Sequence, residues 1–138
     1  MKLTITTGMV TVPIERDGEV TGRITFDPSD VRFCQGLYEL LTRYEESICR
    51  FHDRASGLDP EDAEGYFALL NGVTDDLRES IDRLFGSGTA EAAFGSTRNP
   101  DVMGQFIDAL SAIVREARSG KLSRYLPGAA VTEEDGLA

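Results

Sequence analysis

An α+β fold is predicted for this chain: an N-terminal antiparallel β-hairpin or small sheet followed by a bundle of three main α-helices. Three observations predict it. β-Branched runs flank Asp17-Gly18, the strongest short-range hairpin signal present. Beyond Phe26, apolar residues recur at three- and four-residue spacing in three long stretches. Between the second and third lies Leu84-Phe-Gly-Ser-Gly-Thr-Ala-Glu-Ala-Ala-Phe-Gly95, whose glycines suit helix caps and turns.

Residues 1–27 read as strand. Lys2–Thr6 and Met9–Val12 are rich in β-branched residues, with Thr7-Gly8 a turn between them. Pro13 weakens a central-strand assignment and points to an edge or a bulge. Ile14–Arg16 leads into Asp17-Gly18, and Glu19–Phe26 returns, giving two or three strands. So small a sheet needs the helices or another subunit against one face.

Asp27-Pro28-Ser29-Asp30 opens the first helix, with Ser29 or Asp30 as its cap. Its stripe is Phe33, Leu37, Leu40, Leu41, Tyr44, Ile48 and Phe51, and it is expected to run to about Arg54. Glu39/Arg43 and Glu46/Arg50 stand four apart in the supportive order. The second helix is expected to open with Asp59 as cap and Pro60 in its first turn. Its stripe is Tyr66, Phe67, Leu70, Val73, Leu77, Ile81, Leu84 and Phe85. Gly65 and Gly72 each cost it about 1 kcal/mol relative to alanine, and Gly72 is a place where it could divide.

The connector follows. Gly86 sits where a left-handed cap belongs, Ser87-Gly88 turns the chain, and Thr89 is placed to cap a short helix ending at Phe94-Gly95. Asn99 caps the last helix, Pro100 takes its first turn, and Gly120 is expected to close it. Residues 1–126 thus read as one domain, with 1–27 the hairpin region and 28–126 helical. Residues 127–138 read as a flexible acidic tail.

With 138 residues the chain is long enough for one core but not two. Nothing approaches the apolar length of a bilayer span, and Met1-Lys2-Leu3-Thr4 does not begin a signal-peptide core, so a cytoplasmic protein is expected. The net charge of −10 is uneven: residues 59–95 hold nine carboxylates against Arg78 and Arg83. That argues against nucleic-acid binding through a basic face, and suits either a solvated surface or a basic partner. Cys34 and Cys49 fall roughly 22 Å apart on one helix, so they cannot bridge within it and read as reduced thiols.

Candidate chemistry is sparse. Cys49 and His52, three apart on one helix, could supply two metal ligands, but zinc wants two more of matching type. As a nucleophile pair they lack a group to orient the base. Gly86-Ser87-Gly88-Thr89 superficially resembles a phosphate cradle, yet it follows a helix, lacks the lysine and places Glu91 in the next turn. Asp75/Asp76 and Glu79/Asp82 read as a solvated helix face. No catalytic residue, cofactor or metal site is predicted, and an enzyme is not expected.

Two segments together carry a family resemblance: Phe26-Asp-Pro-Ser-Asp-Val-Arg-Phe33 followed by Leu37-Tyr38, and Arg83–Gly95 followed by a loop and the Met103-x-x-Phe106 helix. Over residues 26–118 the chain resembles the tail assembly chaperones of long-tailed (siphovirus-like) bacteriophages and prophages. The resemblance implies a non-enzymatic, mostly helical protein of the host bacterial cytoplasm. Such proteins are thought to coat the tape-measure protein and help recruit tail-tube subunits. A ribosomal frameshift often appends a second domain, of which this chain would be the short form. A homo-oligomer is expected, with strand pairing of the hairpin as one route.

On that reading the client surface is expected beside Phe85 and Phe94 or along the stripe of residues 66–84, naming Tyr66, Phe67, Leu70, Leu77 and Ile81. Gly86, Gly88, Thr89 and Gly95 are its structural connector. Two alternatives stay open: a structural tail or adaptor component of the virion, and an acidic mimic of nucleic acid that inhibits a host defence enzyme.

Overall fold

The structure, a computed structural model, describes the backbone of residues 1–125 and the side chains of residues 1–119. Two strands, β1 (Val10–Arg16) and β2 (Glu19–Phe26), precede four helices: α1 (Val31–Ser56), α2 (Ala63–Phe85), α3 (Thr89–Phe94) and α4 (Pro100–Tyr125). The architecture is the predicted α+β one, with an antiparallel hairpin ahead of three long helices and a short connector helix.

The hairpin turns at Asp17 and Gly18, both at positive φ (55° and 85°), as a twist-matched two-residue turn requires. Pairing runs from Val10↔Phe26 to Ile14↔Gly22 and resumes at Glu15↔Val20, so Thr21 is the extra residue of a bulge. The bulge serves a contact. Thr21 Oγ1 donates to the Ala92 carbonyl of α3 at 2.5 Å, and a Cβ on Gly22 would stand only 2.7 Å from the Ala92 Cβ. Val10, Val12, Ile14, Ile24 and Phe26 face the helices, whereas Thr11, Pro13, Arg23 and Thr25 face out. Pro13 lies inside β1 without ending it, which an edge strand allows. Residues 1–9 correct the sequence reading: Lys2–Thr6 forms no strand and Thr7-Gly8 no hairpin turn, because among the described residues nothing pairs with this arm.

The Asp30 carboxylate accepts from Arg32 N at 2.9 Å and caps α1. The cap of α2 is Asp62 rather than Asp59. Asp62 Oδ1 accepts from Gly65 N at 2.9 Å, and a Cβ on Gly65 would lie 2.5 Å from that carboxylate, so glycine makes room for the cap. Asp59 and Pro60 sit in the turn before it, where Asp59 accepts from Glu61 N. Gly72 does not divide α2, which is continuous to Phe85. Nor does Gly120 close α4, which reaches Tyr125. The expected tail, residues 127–138, lies outside the described residues.

Two apolar clusters form the core. One joins Leu40, Leu77, Ile81, Ala90, Phe94, Met103 and Ile107; the other joins Ile24 and Phe26 of β2 to Leu110 and Val114 of α4. Phe85 and Phe106 touch both. Phe26 stacks on Phe33 with centroids 4.9 Å apart, and Phe94 meets Phe106 edge-on at 5.4 Å. Full burial of each such ring is worth about 1.5–3 kcal/mol.

Candidate functional site

α1 and α2 form an antiparallel pair. At its lower end a Cβ on Gly36 would stand 2.7 Å from Leu84, and Leu40 packs with Leu77 and Ile81. One turn higher, Arg43 grips Asp76 through Nε and Nη2 at 2.7–3.1 Å, and Ser47 Oγ donates to the same carboxylate at 3.1 Å. These donors hold Asp76 below its usual range against the opposing effect of partial burial. The expected Glu39/Arg43 pair does not form; Arg43 turns to the neighbouring helix, where a planar carboxylate matches its fork. At the far end Phe51 meets Tyr66 edge-on at 5.5 Å, and Tyr66 meets Phe67 at 6.1 Å.

α4 reaches only part of this pair. Arg98, just before it, bonds Thr74 Oγ1 at 3.0 Å and pairs with Asp75, so α4 starts level with Thr74. The Tyr44 hydroxyl would stand 4.0 Å from a Cβ on Gly104. Below that level three helices enclose the core; above it, among the described residues, only two are present. Along residues 48–73, a stretch described throughout, no residue is buried. Yet the stretch holds Ile48, Phe51, Leu58, Tyr66, Phe67, Leu69, Leu70 and Val73. Tyr66 and Phe67 are 43% and 59% exposed.

The client residues named from sequence thus separate into three groups. Leu77, Ile81 and Phe94 are core residues, at most 2% exposed, and offer no surface to a partner in this conformation. Phe85 is half-buried between the two clusters. Tyr66, Phe67 and Leu70 lie together at the uncovered tip. Helical spacing fixed which face of α2 is apolar; where cover stops depends on where α4 begins, which no local pattern in α2 records.

The connector is a built corner. Gly86, Gly88 and Gly95 all have positive φ (117°, 92° and 60°), but only Gly88 is left-handed helical, so Gly86 is not the left-handed cap expected. Thr89 is the first residue of α3, not its cap; its hydroxyl donates to Gly86 O at 2.8 Å. The cap comes from the preceding helix, where Asp82 Oδ1 accepts from Ala90 N at 2.8 Å. Arg78 lies over the Phe94 ring and donates to Gly95 O at 2.9 Å. The Arg16 guanidinium lies against Gly95 with its Nε buried and without a hydrogen-bond partner among the described residues.

Cys34 donates to Pro28 O at 3.4 Å, while Cys49 is exposed and His52 packs edge-on against Phe51. Among the described residues no group of three or more potential ligands could hold a metal ion, and no helix is long and apolar enough to cross a membrane. Two exposed apolar surfaces are present among the described residues: the two-helix tip, and the arm of residues 1–9, where Leu3 and Ile5 are exposed. Comparison with protein-family models, curated proteins and solved structures finds no match to this chain.

Proposed function

We propose that this protein is an assembly chaperone of the phage-tail type, a non-enzymatic binder that keeps the tape-measure protein soluble and helps recruit tail-tube subunits. The observation that carries the reading is the uncovered apolar tip of α1 and α2. A folded chain that leaves a contiguous set of large apolar side chains without a core has a surface for another protein. The surrounding carboxylates keep that surface soluble when empty. The family resemblance over residues 26–118 supplies the identity of the client.

The test is co-expression with the tape-measure protein of the same tail module, followed by size-exclusion chromatography with light scattering. A soluble complex holding several copies of this chain per client is the expected result. Elution of this chain alone while the client precipitates would end the proposal. A structural tail component is the second reading, favoured by the exposed arm Met1, Leu3, Ile5 and Met9 beside a two-stranded sheet, whose outer edges can pair copies. Mass spectrometry of purified particles separates the two, since a chaperone leaves before the particle is complete.

A further inference from the structure

We propose that the groove beyond the start of α4 receives an α-helix of the partner protein whose apolar face is flanked by lysines and arginines. The inference rests on the reading above for the tip as an interaction surface, and adds the chemistry of what it holds.

The shape comes from the bundle itself. On α2, Ile81, Leu77 and Thr74 are buried, and Leu70 and Phe67 continue the same face at alternating four- and three-residue steps. On α1, Leu40, Tyr44 and Ile48 recur every fourth residue. Lower down, Met103 and Ile107 of α4 occupy the groove between these rows. Above Thr74 the α2 row continues through Leu70 and Phe67 for about 10 Å, two turns, and on α1 Ile48, which still lines a cavity with Ile107 and Ser111 of α4, is followed by Phe51. A groove made by two helices and already filled by a third over half its length has the width of a helix.

Charge selects the partner. Residues 45–64 carry seven carboxylates (Glu45, Glu46, Asp53, Asp59, Glu61, Asp62 and Glu64) against Arg50 and Arg54, half of the chain's net charge of −10. Both arginines line the cleft between α1 and α2 on their Asp76 side, with Ser47, Ala68 and Gly72, whereas Glu45 lines the cavity that Tyr44 and Ile48 share with Ile107 and Ser111 of α4. A second copy docked tip to tip would bring two such acidic rims together, and nucleic acid would be repelled. A helix with basic flanks meets carboxylates at its edges and Tyr66 and Phe67 at its centre. Those are residue types that carry binding energy and attract cations to their ring faces.

The experiment is fluorescence anisotropy of the full chain with two labelled synthetic helices, one with a leucine stripe flanked by lysines and one with glutamates in their place. The lysine helix is expected to bind saturably and to weaken severalfold between about 50 and 300 mM salt, and the glutamate helix not to bind. Phe67→Ser is expected to weaken binding at least about tenfold, and Glu61→Lys with Glu64→Lys severalfold. All three positions are exposed, and circular dichroism checks that each variant keeps its helices. Equal binding of the two helices, binding of neither, or undiminished binding by a folded Phe67→Ser overturns the inference. So does a dimer, seen by light scattering, that Phe67→Ser splits. If the lysine helix binds as stated but the tape-measure protein does not co-purify, the chaperone reading falls and this inference stands. If the client co-purifies equally with Phe67→Ser, the inference falls and the chaperone reading stands.

Discussion

The two ends of the α1/α2 pair are built from the same residue types and have opposite fates. At the lower end Leu40, Leu77 and Ile81 are enclosed by α3 and α4, and Ile81 is fully buried. At the upper end Phe51 meets Tyr66 and Tyr66 meets Phe67, yet Ile48, Phe51, Tyr66, Phe67 and Leu70 all stay in contact with water. Apolar content therefore does not make a core; a third layer does. Where that layer stops, the same stripe changes from a source of stability to a surface, and stability is expected to fall from base to tip.

The sharpest way to break this comparison is to shave one ring at each end. Phe94→Ala is expected to cost about 3–5 kcal/mol in chemical denaturation, because it empties a filled site between α2, α3 and α4. Phe67→Ala, removing an equally large ring, is expected to stay within about 0.5 kcal/mol. Similar losses at both positions would mean the tip is covered in solution. Next come two glycines. Gly95→Ala places a side chain at φ 60° and against the Arg16 guanidinium, with an expected loss of about 1–3 kcal/mol. Gly72→Ala meets open space within a regular helix and is expected to gain about 1 kcal/mol; a loss there would reveal close packing at the tip.

The smallest effect lies at the boundary between the ends. Arg43 and Ser47 lower the Asp76 value below the usual 3.8, so the folded state holds this carboxylate charged where the unfolded chain protonates it. That contribution is fully present above the unfolded value and is lost as pH falls through the lowered one. The melting-temperature gap between the parent chain and Asp76→Asn is therefore expected to be constant above about pH 5 and to close as pH falls through the lowered value.

Much of the fold is written locally. Asp17-Gly18 specifies its turn, Asp30 its cap, and the glycines around α3 its corner, because each acts within a few residues of itself. The signal that α2 opens at Asp62 was present in Gly65, the position whose missing side chain admits the capping carboxylate. Other features depend on distant residues. α3 takes its cap from Asp82, eight residues earlier and on another helix, so Thr89 looked better suited by spacing than it is by geometry. Arg43 has carboxylates nearby on its own helix and chooses Asp76, thirty-three residues on. The candidate surface was half legible for the same reason: the stripe from Tyr66 to Phe85 was visible, and the reach of α4 across it was not.

The Asp82 contact also orders events in time. It closes a loop of 8 residues, whereas the bond from Thr21 to Ala92 closes one of 71. The longer closure costs about 2 kcal/mol more in chain entropy, by the logarithmic dependence on loop length. The corner between α2 and α3 therefore has the cheaper path to formation, and the hairpin needs that corner in place before its bulge has anything to bond. A chain emerging N-terminus first makes its β-strands early and must hold them unsupported until residue 92 has been synthesised.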